Sequence, residues 1–172
     1  MNKSIAGAGT LLASMLAASP AAAVSPATQA TANAKIFKPL TISKLQNLDF
    51  GVIVLGSGSW AGEVVSISQA GVLTCGGGTN LTCSGATQPA KYHLAGSNNA
   101  TVTISSPGFN LTGPGAGPPT LAFTPNAPAT VNLGPNGLVT GVDFSIGGSI
   151  TLTSATPDGV YSGPFAVTAD YQ

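Results

Sequence analysis

The sequence predicts an all-β fold, an antiparallel β-sandwich, and three observations lead there. Of 172 residues, 43% are hydrophobic, mostly small or β-branched, and the polar remainder is Thr, Ser, Asn and Gly. That mixture suits strands and turns and serves helices poorly. Apolar residues recur at every second position, the period of a half-buried strand. The 23 Gly and 13 Pro interrupt nearly every window long enough for a helix.

The elements follow in order. "KIFKPLTIS" (35–43) reads as an extended segment. "LDFGVIVL" (48–55) is apolar enough for a buried strand, and "GEVVSIS" (62–68) alternates. "GVLTC" leads into a Gly-rich loop, and "AKYHLAG" (90–96) and "ATVTISS" (100–106) are two more strands. Residues 107–119, "PGFNLTGPGAGPP", read as a loop. "TLAFTP" (120–125) and "VNLGP" (131–135) are short strands. "GLVTGVDFSIGGSITLTS" (137–154) divides into two strands, broken near Gly147-Gly148. "TPDG" (156–159) is a turn. Roughly eight to ten short strands with regular turn signals make a sandwich, with no second domain.

The closing stretch, "YSGPFAVTADYQ", alternates to its end: Tyr161, Gly163, Phe165, Val167, Ala169 and Tyr171 on one side, polar or small residues on the other. An apolar edge strand invites pairing unless charge, Pro or a cover blocks it. Here only Pro164 and Asp170 guard it. Upstream, Ala30, Ala32, Ala34 and Ile36 alternate with Thr31, Asn33 and Lys35. Such small side chains suit a strand that fills a narrow groove between two sheets. From its own chain it completes the sandwich; from a neighbour it builds a fibre by head-to-tail contacts that do not close.

The N-terminus reads as an address. Lys3 precedes an apolar stretch from about Ile5 to Ala18, and Ala21-Ala22-Ala23 fits an A-x-A cleavage pattern, with Thr28-Gln29-Ala30 as a second candidate. Residues 1–23 are therefore expected to be a secretory signal peptide, too short and Ala-rich for a membrane span. Residues 24–36 form an N-terminal extension and 37–172 the sandwich domain. The expected location is the periplasm in transit, then the cell surface. Cys75 and Cys83, in "TCGGGTNLTC", then read as a disulfide.

Charge excludes some functions. Charged residues make up 6%, against roughly 25% in an average soluble domain. With five Lys and no Arg the chain has no electrostatic footprint for nucleic acid. Reactive constellations are thin, so no enzyme, cofactor or metal is expected. Asp49 and Asp143 could be a carboxylate pair but read better as strand-edge acids, and His93 has no partner supplied by a motif. Trp60 reads as packing on the rim of the core.

"PLTISKLQNLDFGVIV", "GGSITL" and "GVYSGPFAVTADYQ" resemble a bacterial secreted domain-of-unknown-function family, number 4402, over about residues 34–172. That family is similar to chaperone–usher pilin subunits, in which an "LDFG"-like segment follows a donor strand and the penultimate residue is aromatic, as Tyr171 is here. The resemblance implies an immunoglobulin-like sandwich lacking its last strand. A periplasmic chaperone would supply that strand temporarily, and an outer-membrane usher would exchange it for the next subunit's extension. By position, Ala30, Ala32, Ala34 and Ile36 would be the donor, and Phe165, Val167, Ala169 and Tyr171 would border the acceptor groove.

The expected function is thus a structural subunit of a surface fibre, with copies of itself, a chaperone and an usher as partners. The alternative is a self-complete sandwich that binds a surface glycan through Trp60, Tyr92 and the Gly/Asn loops.

Overall fold

The computed structural model describes residues 27–172, so the expected signal peptide lies outside the described residues. The chain divides into two units, at Lys35 and Ile36. In the first, residues 27–35 are exposed and form neither helix nor strand.

The second unit carries twelve strands: β1 (Thr41–Gln46), β2 (Val52–Leu55), β3 (Glu63–Ile67), β4 (Leu73–Cys75), β5 (Leu81–Ser84), β6 (Ala90–Ala95), β7 (Thr101–Ser105), β8 (Phe109–Thr112), β9 (Thr120–Asn126), β10 (Thr130–Asn132), β11 (Val142–Leu152) and β12 (Thr168–Tyr171). All ladders are antiparallel. A seven-stranded sheet runs β1-β6-β11-β3-β4, with β9 also on β11 and β8 on β9. The facing layer is in two pieces, a three-stranded sheet β10-β7-β12 and a two-stranded ribbon β2-β5.

The period of two builds the core. In β6 Ala90, Tyr92 and Leu94 point inward, as do Phe144 and Ile146 of β11, and with Val102, Ile104, Val131 and Leu133 they form one buried cluster. Val65, Leu81, Leu121, Phe123, Ile150 and Leu152 form a second. Leu48 and Phe165 pack against both and join them. Each full burial of such an aliphatic side chain contributes roughly 1.5–3 kcal/mol.

Three expectations about the elements change. Residues 137–154 hold one long strand, not two, because β11 runs straight through Gly147-Gly148. These glycines admit neighbours: a Cβ at Gly147 would collide with the Ile67 carbonyl oxygen, and one at Gly148 with the Phe123 ring. The stretch read as loop, 107–119, contains β8, since Phe109 and Leu111 alternate inward opposite Phe123 and Leu121. The turn expected at Thr156–Gly159 is hydrogen-bonded three residues earlier, from Thr156 N–H to the Thr153 carbonyl. Short strands between turns account for the higher strand count.

Cys75 and Cys83 form the expected disulfide, with Cα atoms 5.9 Å apart. It joins β4, on the seven-stranded sheet, to β5, on the ribbon. The ribbon extends past its ladder through an Asp49–Gln88 bridge at one end and a Gly56 N–H bond to the Asn80 carbonyl at the other. Asp49 Oδ1 accepts the Gly51 N–H at 2.8 Å and shapes the kink, where Gly51 has φ +72°.

Candidate functional site

The interrupted layer leaves an open groove of about 1340 Å³. Its floor is the inner face of the large sheet: Ala90 and Tyr92 of β6, Phe109 and Leu111 of β8, Leu121 and Phe123 of β9, Ile150 and Leu152 of β11. One wall is Gln46–Leu55, which includes β2; the other is the extended stretch Pro157–Phe165. Among the described residues β2 pairs only with β5, so its second edge carries no ladder. The opposite wall bonds outward to β8, Ser162 exchanging both main-chain hydrogen bonds with Thr112.

Phe165 stands at the centre of an aromatic cluster. Its ring centroid lies 5.6 Å from Phe123, 5.8 Å from Phe109 and 6.4 Å from Tyr92. Phe50 meets Phe123 edge-on at 6.1 Å. Around the groove Val52, Val54 and Leu45 are more than half exposed and Val160 is 82% exposed, an unusual run of apolar surface on so small a protein.

The closing segment alternates as the sequence predicts, with Phe165, Val167, Ala169 and Tyr171 half-buried and their neighbours exposed. Only its last four residues form β12, paired with β7 from Thr168↔Ser105 to Tyr171↔Val102. Of the four residues assigned to an acceptor edge, Phe165 lines the groove, whereas Val167, Ala169 and Tyr171 pack farther along against the first core cluster. The floor residues Phe109 and Phe123 were absent from that assignment. Phe123 lies in a stretch that reads as a strand and Phe109 in one that reads as a loop, and the topology that turns both toward Phe165 is not legible in the sequence.

Tyr171 closes the far end of the segment. Its ring stacks on Phe37 at 4.1 Å, and its hydroxyl accepts the Ser97 N–H at 2.8 Å and donates to the Lys38 carbonyl at 2.9 Å. Gly96 makes room for it, because a Cβ there would collide with the hydroxyl. Upstream of this clasp, Ile36 is 89% exposed and Ala30, Ala32 and Ala34 are exposed within their own unit.

The His93–Asp143 pair lies outside the groove lining. His93 and Asp143 face each other across β6 and β11, with Nδ1 2.6 Å from Oδ1 and the Asp143 side chain 62% exposed. Ser43 opposes His93 from β1, on the other edge of β6. The imidazole Nε2, however, lies against Gly141, on the β11 side, so the row does not form a nucleophile–base contact. Asp49 is far from this pair in the fold, on the groove wall. Burial raises the Tyr92 phenol pKa above its ordinary value. Tyr92 is in the first core cluster and Trp60 packs on the rim of the second, its Nε1 donating to the Gly56 carbonyl. These two residues do not share a surface. Among the described residues no three His, Cys, Asp or Glu side chains gather as metal ligands.

The model of one family, described as a domain of unknown function, DUF4402, matches residues 40–171. The chain belongs to the DUF4402 family. The DUF4402 match covers every strand, the disulfide, the groove and Tyr171, and it begins after Ala30, Ala32, Ala34 and Ile36. No curated protein and no solved structure matches the chain.

Proposed function

We propose that this protein is a structural subunit of a secreted surface fibre, in which the groove of one copy receives a strand from the N-terminal extension of the next. The observation that carries the reading is the groove itself: an apolar floor between two walls of extended backbone, one of them the open edge of β2. Backbone N–H and C=O groups along such walls need partners once water leaves. An acyl chain or other apolar small molecule supplies none, whereas an inserted strand bonds along its length and buries alternate side chains in the floor. Residues 27–36 suit that role, being exposed, free of regular structure and alternating at Ala30, Ala32, Ala34 and Ile36.

In this scheme the sandwich is immunoglobulin-like and incomplete. The signal peptide sends it to the periplasm, a chaperone strand fills the groove in transit, and an usher exchanges it for the next subunit. The neutral surface fits an assembled product better than a free one.

The test compares unboiled and boiled surface-extracted protein on a denaturing gel. Strand-exchanged polymers are kinetically trapped, so a ladder that collapses to one band on boiling is expected. Deleting residues 24–36 should abolish the ladder and leave a chaperone-bound monomer. A single monomer band in both lanes overturns the proposal in favour of a self-complete sandwich.

A further inference from the structure

One buried polar group takes no part in lining the groove. Glu63, the first residue of β3, turns its carboxylate against the disulfide loop Cys75–Cys83. Its Oε1 accepts from Asn80 Nδ2 at 2.5 Å. Its Oε2 is the one buried side-chain oxygen or nitrogen among the described residues that has no hydrogen-bond partner. Buried polar groups are paired almost without exception, and a carboxylate oxygen out of water needs a partner more than most. Within the second unit no lysine neutralises it: Lys44 and Lys91 stand on β1 and β6, and Lys38 bonds to Ser97. The loop is shaped around this carboxylate. A Cβ at Gly76 would collide with Oε2 and one at Gly78 with Oε1, so the main chain approaches both oxygens as only glycine allows. The disulfide holds the two ends of the loop together. Gly77, Gly78 and Thr79 are exposed and a Cβ at Gly77 would meet nothing, so the loop is open to water on its outer side.

We infer that Glu63 and this loop bind a calcium ion. The carboxylate supplies charge and two oxygens. The loop's own donors are the Thr79 hydroxyl, the main-chain carbonyls of 76–79 and the Asn80 amide, turned to present its oxygen. All are hard oxygens. Both sulfurs are locked in the disulfide and the chain's one histidine is paired with Asp143, so the donor set suits neither zinc nor copper. Calcium needs no gathering of acidic side chains, because carbonyl and amide oxygens serve it in irregular six- to eightfold coordination. Magnesium demands a near-ideal octahedron and gives up water reluctantly, which one carboxylate in a glycine loop does not repay. A single carboxylate puts the affinity in the weak range of extracellular modules, a Kd of about 10⁻⁴–10⁻³ M. The ion ties β3 of the large sheet to the loop that enters β5 of the ribbon, a second clamp beside the disulfide. The inference uses none of the groove residues and holds whether or not copies exchange strands.

The test is the binding of calcium alone to the exported chain. Equilibrium dialysis with radioactive calcium should give one ion per chain. In urea, calcium at about 10 mM should raise the folded-to-unfolded ratio about 10- to 100-fold over sodium chloride of equal ionic strength, by mass action. Amide exchange should slow in β5 and β2. Magnesium at the same concentration should do neither. Glu63→Gln keeps the shape and an acceptor for Asn80, and should lose both binding and the shift. Gly78→Ala keeps the carboxylate but fills its cradle, and should weaken binding at least tenfold; it decides the matter where Glu63→Gln does not fold. Asp143→Asn, at an acid outside the loop, should bind like the wild type. No bound calcium at that concentration, binding retained in Glu63→Gln or in Gly78→Ala, binding lost in Asp143→Asn, or an equal response to magnesium overturns the inference.

Discussion

Replacing both Cys75 and Cys83 by alanine should destabilise the domain by about 2.5 kcal/mol. The bond joins residues 8 apart in sequence, and closing so short a loop removes roughly 8–9 cal/mol/K of unfolded-chain entropy on the loop-closure model. The structure adds where the effect falls. No ladder links β4 to β5, so the disulfide is a covalent cross-link, beyond the connecting chain, between the large sheet and the ribbon that forms one groove wall. The ribbon is then held by the burial of Leu81, the packing of Ile53 and Leu55 on the second cluster and the Glu63–Asn80 hydrogen bond. Urea unfolding is the assay. At a slope of about 2 kcal/mol per molar urea, the midpoint should fall by about 1.2 M. Amide exchange should accelerate in β5 and β2 more than in β6 and β11, which are held in ladders on both edges. A midpoint shift below about 0.3 M, against the 1.2 M expected from that slope, would refute the entropy argument. Even loss of protection across both layers would refute the claim that the bond acts on the ribbon.

Further outcomes follow from other contacts. Gly148→Ala pushes a methyl into the Phe123 ring and should cost about 1–3 kcal/mol; a neutral result would mean that β11 shifts at no cost. Tyr171→Phe removes a hydroxyl that bridges Ser97 and Lys38 and should lose about 1–2 kcal/mol. Gly96→Ala should be damaging in the wild type and milder in the Tyr171→Phe background, a coupling that a double-mutant cycle of unfolding midpoints measures. Asp143→Asn breaks an exposed pair with His93 and should change stability by less than about 1 kcal/mol. Tyr92 holds its proton more tightly when folded, so its contribution to stability is present below the ordinary phenol range and falls as pH rises through the raised folded value. Tyr92→Phe should flatten that alkaline decline in unfolding midpoints.

The fold was legible in the sequence wherever one face of a strand is wet. The alternation of "AKYHLAG", "ATVTISS" and "YSGPFAVTADY" predicted inward and outward sides that hold residue by residue. It failed where glycine carries two meanings. Gly147-Gly148 resembles a break, yet its role is to admit Ile67 and Phe123, which come from distant strands. It also failed for β8, since four residues between a Pro-Gly and a Gly-Pro pair become a strand only because β9 lies beside them. The closing edge was readable as unguarded. The groove beside it was not, because its floor comes from β6, β8, β9 and β11 and exists only in three dimensions. The His93–Asp143 pair was hidden for the same reason: 50 residues separate its members.

The closing segment has a consequence in time. Its first part bonds to β8 through Ser162 and its last part to β7 through β12, while Tyr171 reaches back 133 residues to Lys38. Contacts of such long range form late and slowly, because loop closure precedes any gain from them. Until then both core clusters lack Phe165, and the edges of β7 and β8 stay open together. The chain therefore spends its longest folding interval in the form most exposed to wrong pairing, and a factor that shortens this interval would act on yield more than on final stability.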